Sequence, residues 1–159
     1  MTIQIGDRIP ESTFMIMSDG KPVPLTSTEL FGGKKVVLFS VPGAFTPTCS
    51  VKHLPSFVDS VEEILGKGVD TIACMAVNDV FVMHAWGKSA SADKIVMLAD
   101  GNGEFTKLLG LELDASGFGM GERSQRFALI AVDGVVSHLF IEAPGEYRVS
   151  AAEHVLLSL

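Results

Sequence analysis

The sequence predicts an α/β fold: a central mixed β-sheet flanked by helices, with a β-hairpin at its N-terminal end. Three observations carry this. Apolar runs of strand length alternate with helical segments through the middle of the chain, at KKVVLFSV (34–41), VDTIACMAV (69–77) and KIVMLAD (94–100). Strands buried on both faces of a sheet read this way. A hairpin pattern, RFALIAVDGVVSHLFIEA, follows around Asp133-Gly134. No repeat, low-complexity tract or linker interrupts the 159 residues, so one domain spanning 1–159 is expected.

The elements follow in order. STFMIMSDGKPVPLT reads as a first hairpin turning at Asp19-Gly20. Thr26 to Leu30 suggests a short helix ended by Gly32 and Gly33. After the strand at 34–41, residues 47 to about 65 carry Val51, Leu54, Val58, Val61 and Leu65 at helical spacing, with a kink expected at Pro55. Asn78-Asp79 can cap a helix over VFVMHAWGKSA, and Gly103 to Leu109 forms another. The Gly-rich stretch 115–121 is expected to be a loop. Ser150, with Glu153 three residues on, has the form of a capping box for a terminal helix. Alternating strands and helices closed by a hairpin and a helix make an α/β sandwich.

Composition narrows the function. With 47% apolar and 19% charged residues the chain is globular. A net charge of −7 argues against nucleic acid or an anionic membrane as partner. MTIQIGDRIPESTF lacks a basic segment followed by a long apolar one, and no apolar run approaches a membrane span. Neither a signal peptide nor a transmembrane helix is expected. Two cysteines and no CxxC point to reduced thiols in a cytoplasmic protein, and no histidine shows metal-ligand spacing.

One stretch stands out. PGAFTPTCS (42–50) puts Cys49 among turn and cap residues rather than among Val, Leu and Ile. Thr46 suits an N-cap and Pro47 the first helical position, which places Cys49 in the first turn. Unpaired N–H groups and the positive end of the helix dipole favour a thiolate there. The site also lies at the carboxyl end of a central strand, where open α/β sheets bind ligands.

The pattern P-x-x-x-T-x-x-C, present as Pro42, Thr46 and Cys49, resembles the active-site signature of the peroxiredoxins. PGAFTPTCS as a whole is similar to their type II branch in plants and bacteria, and GVDTIACMAVNDVFVMHAW and RSQRFALIAVDG extend the likeness along the chain. The resemblance implies a thioredoxin-like fold and reduction of hydrogen peroxide and alkyl hydroperoxides through a cysteine sulfenic acid. No cofactor or metal is implied, only an external thiol: glutathione with glutaredoxin, or thioredoxin. By position, Cys49 is the peroxidatic nucleophile, Thr46 hydrogen-bonds thiolate and peroxide, Pro42 shields the site from water, and Arg126 is the family's strand-borne arginine. A homodimer is expected by resemblance, through aromatic residues such as Phe45, Phe81, Trp86 and Phe118, although core packing is the default for each.

Several residues compete for roles. Arg123 rivals Arg126 and otherwise pairs with Glu122 or solvent. His53, one turn after Cys49, suggests a Cys–His hydrolase pair, but a helix-surface histidine is the preferred reading. Cys74 is expected in a buried strand, inert, with a resolving disulfide to Cys49 as the alternative. Some relatives carry a C-terminal resolving cysteine; Val149 and Ser150 stand in that region here. The rival from another class is a non-catalytic peroxide sensor or thiol-dependent binding module on the same fold.

Overall fold

A computed structural model describes residues 1–159. Seven strands form one sheet in the order β2-β1-β5-β4-β3-β8-β9. Three of them, β3 (Lys35–Ser40), β4 (Thr71–Ala76) and β5 (Val96–Ala99), run parallel at its centre. β8 (Phe127–Val132) pairs antiparallel with β3, and β9 (Val135–Ile141) with β8, through the Asp133-Gly134 turn. The N-terminal hairpin, β1 (Thr13–Ser18) and β2 (Lys21–Thr26), joins the opposite edge through Met15 and Ala99. Asp19 and Gly20 both take positive φ, as the tight hairpin turn requires.

Because side chains alternate across a strand, the central strands feed two cores. Val37, Phe39, Ile72, Cys74, Ala128 and Ile130 point to one face. There they meet α2 (Leu54–Asp59), α3 (Val61–Gly66), α4 (Val80–Ser89) and α6 (Ala152–Leu156). Val36, Leu38, Ala73, Met75 and Leu129 point to the other, covered by α1 (Ser27–Phe31) and α5 (Glu104–Leu109). Cys49 belongs to the first core, against β3 and β4.

Two local expectations are corrected and one is borne out. The helix of residues 47–65 is not one kinked rod. Its first part, Cys49–His53, is wound as a π-helix, in which the Leu54 N–H reaches back five residues to the Cys49 carbonyl. Pro55 follows at once and has no N–H to offer Val51. A second break falls at Ser60 (φ −105°, ψ 7°), which separates α2 from α3. The Gly-rich stretch 115–121 is the expected loop; it joins a small two-stranded ribbon, β6 (Glu112–Asp114) with β7 (Glu122–Ser124), and contains a single 3₁₀ turn. Lastly, α6 has no side-chain cap: Ser150 turns its hydroxyl to Glu142 instead.

Candidate active site

The segment between β3 and the π-helix is held from three sides. The Ala44 N–H donates to Asn78 Oδ1 at 2.9 Å, while Asp79 caps α4 by accepting from the Val82 N–H. Arg123 donates from Nε to the Met120 carbonyl (2.8 Å) and from Nη1 to the Pro42 carbonyl (3.4 Å). It therefore supports the Pro42 loop rather than pairing with Glu122. Gly43 is a close approach: a Cβ there would lie 3.1 Å from Arg123 Nη1 and 3.2 Å from Met120 Cε. Thr46 donates its hydroxyl to the Gly43 carbonyl at 2.7 Å, and its side chain does not cap the helix that starts beside it. Trp86, fully buried on α4, donates Nε1–H to Ser50 Oγ and so ties α4 to the residue after Cys49.

Arg126, placed just before β8, reaches into this first turn with both ends of its guanidinium. Nη2 donates to Cys49 Sγ at 3.0 Å, and Nη1 donates to His53 Nδ1 at 2.8 Å. The fork fits because Cys49 and His53 are four residues apart on the wide π-turn and both face inward, each 0% exposed. A planar guanidinium can serve two acceptors from fixed positions, which an ammonium cannot.

His53 is thus not a surface residue, which corrects the sequence-based expectation. Its Nε2–H donates to the Ser150 carbonyl at 3.0 Å, and its ring lies among Phe39, Phe57 and Tyr147. A carbonyl only accepts and a guanidinium only donates, so the partners fix the neutral tautomer with its proton on Nε2. Burial, and next the Arg126 charge, press its pKa down to about 3. Both nitrogens are occupied. A Cys–His hydrolase pair is therefore excluded, since no nitrogen is left to take a proton from Cys49.

Cys74 lies at mid-strand in β4, opposite Phe39 on β3 and Met97 on β5, completely buried. Both cysteines are free thiols in the same apolar core. Burial raises the Cys74 pKa well above its ordinary value, and the nearby Cys49 adds to this against a smaller opposing effect of Arg126. Among the aromatic residues, Trp86 is core, whereas Phe45, Phe81 and Phe118 are 53%, 63% and 86% exposed.

Residues 4–156 match the redoxin family. The chain is 49% identical over 159 residues to peroxiredoxin-2B of Arabidopsis thaliana, covering 99% of this chain and 98% of that one. It belongs to the redoxin family, as a type II peroxiredoxin. The fold agrees: reduced Prx3 of Vibrio vulnificus, solved with hydrogen peroxide, superposes with a TM-score of 0.96 at 50% identity over 99% of both chains. A 1-Cys peroxiredoxin of Plasmodium falciparum superposes with a TM-score of 0.90 at 33% identity over 96% of both. This peroxiredoxin is accordingly a thiol-dependent peroxidase with a thioredoxin-like fold.

Proposed function

We propose that Cys49 is the peroxidatic thiol and that the enzyme runs a one-cysteine cycle on hydrogen peroxide and alkyl hydroperoxides. The observation that carries this reading is the Arg126 fork, which donates to Cys49 Sγ and His53 Nδ1 together. The Cys49 thiolate attacks the nearer peroxide oxygen, the O–O bond breaks, and the departing oxygen leaves as water or alcohol after taking up a proton. Cys49 becomes a sulfenic acid. Arg126 supplies fixed positive charge along that path, the Thr46 hydroxyl, whose proton goes to the Gly43 carbonyl, accepts from the peroxide O–H, and Pro42 helps keep water out.

The state of Cys74 favours a single-cysteine cycle. A buried thiol whose pKa is raised has little thiolate at neutral pH and attacks a sulfenic acid slowly. An external thiol, glutathione or that of a glutaredoxin, condenses with Cys49 sulfenic acid and releases water; a second thiol then frees Cys49 as a thiol and leaves as the oxidised disulfide. Thioredoxin is the alternative reductant. No cofactor is involved. We further propose that the enzyme works in the cytoplasm as a homodimer that covers Phe45, Phe81 and Phe118, away from nucleic acid and membranes. No helix is long and apolar enough to cross a membrane.

The experiment is a Cys74→Ser variant assayed with glutathione plus glutaredoxin, and in parallel with thioredoxin plus its reductase. Turnover at the wild-type level is expected with glutaredoxin, and a sulfenic acid probe should label Cys49 in both proteins after peroxide. Collapse of turnover with a fast first peroxide reaction would make Cys74 the resolving residue.

A further inference from the structure

Glu142 lies at the end of β9, only 6% exposed, and no lysine or arginine forms a salt bridge with it. A buried carboxylate is costly unless donors surround it. Its donors all come from one short stretch downstream: Oε2 accepts from the Arg148 N–H (2.7 Å), the Ser150 N–H (2.9 Å) and the Ser150 hydroxyl (2.6 Å). Oε1 is buried without a partner. The acid is therefore committed to gripping residues 143–150 as a strap.

What that strap presents is specific. The Ser150 carbonyl accepts the Nε2–H of His53, and Tyr147 sets its ring edge-on to the imidazole (5.2 Å, 63°) while its hydroxyl donates to the Lys52 carbonyl. With the proton held on Nε2, Nδ1 is left bare, and only a bare Nδ1 can accept from Arg126. The opposite tautomer would point an N–H at the guanidinium and turn its fork away from Cys49.

We propose that Glu142 is a positioning residue for the peroxide reaction: by clasping the strap it holds Ser150 against His53, and His53 then fixes the Arg126 fork on Cys49. The inference rests on the reading of Cys49 as the reacting thiol. Glu142 touches no reacting atom and acts through two intermediaries, much as outer-shell partners orient metal-ligating histidines.

The test is a double-mutant cycle on the second-order rate of Cys49 oxidation by hydrogen peroxide, joined to ¹⁵N spectra of the His53 imidazole. Glu142→Ala should slow the reaction by roughly 10- to 100-fold, the range a small misplacement costs. Glu142→Gln, which keeps an acceptor oxygen, should recover most of that loss. Added to His53→Ala, the same Glu142→Ala change should cost less than about twofold, because its route to Arg126 is already cut. Effects that multiply overturn the proposal, as does an unchanged rate in folded Glu142→Ala. The spectra give a readout that mere folding support would not move: wild type should show the proton on Nε2, and Glu142→Ala a mixture of tautomers. A proton on Nδ1 in the wild type overturns the proposal with no variant needed. Should Cys49→Ser still consume peroxide, it is the reading of Cys49 that fails, and the spectra still decide whether Glu142 sets the imidazole.

Discussion

Cys49→Ser is expected to bring peroxide consumption down to the uncatalysed background, with the fold intact. Serine has nearly the same shape, and its hydroxyl still accepts from Arg126 Nη2 in place of the thiolate. It is nevertheless no nucleophile here, because an alcohol needs a base and both nitrogens of His53 are engaged. Arg126→Lys is the graded companion. It keeps the positive charge and loses the fork, so one ammonium must serve either Cys49 or His53 but cannot hold both in place. Removing a preorganised donor of this kind costs roughly 10² to 10³ in rate. Stopped-flow emission of Trp86, the one tryptophan, suits the measurement because its N–H donates to the neighbour of Cys49. Undiminished peroxide consumption in Cys49→Ser would exclude Cys49 as the reacting thiol. A rate within a few-fold of wild type in Arg126→Lys would mean that charge alone matters and the fork does not.

Much of this site was legible because its parts are local. Thr46, Pro47 and Cys49 are neighbours in sequence, so the helix start is read from a few residues, although Thr46 gives its hydroxyl to the Gly43 carbonyl and does not cap it. The sheet was legible for a similar reason: the runs 34–41, 69–77 and 94–100 are apolar on both faces and match β3, β4 and β5 within two residues at each end. The hairpins announced themselves through Asp-Gly turns.

What escaped depends on contacts across the chain. His53 looks like a surface residue, and only the folded chain shows the inward face it shares with Cys49 to be buried against Phe39, Phe57 and Ser150. Ser150 and Glu153 have the spacing of a capping box, yet Glu142, eight residues before Ser150, takes the serine hydroxyl. A distant carboxylate in the right place outweighed a local rule. Asn78-Asp79 has the form of a helix cap; Asp79 has that role, while Asn78 holds the loop before Cys49. In each case the residue type signalled a hydrogen bond, and the partner could be known only once the fold had closed.

The burial of His53 has a consequence for stability that needs no substrate to measure. In the unfolded chain the imidazole titrates near its ordinary pKa of about 6.5. In the folded protein, burial and then the Arg126 charge bring it to about 3, against weaker opposing effects of the Ser150 carbonyl and Glu142. Above about pH 6.5 both states hold a neutral ring and the full stability is present. As pH falls, the unfolded chain binds a proton that the folded one refuses, and stability drops by about 1.4 kcal/mol per pH unit until pH nears the folded value. By pH 4.5 the loss from this one residue is about 3 kcal/mol. Glu142 acts in the same direction but later. Burial pushes its carboxyl up, hydrogen bonds from Ser150 and Arg148 outweigh that and leave it below the usual carboxylate range, so its stabilisation fades only in stronger acid. Urea unfolding at pH 7 and pH 4.5 separates the two. His53→Gln, whose amide can donate to Ser150 and accept from Arg126 without titrating, should be less sensitive to this change of pH by about 3 kcal/mol. An equal loss in both proteins would place the acid sensitivity elsewhere and show that His53 takes up its proton in the folded state.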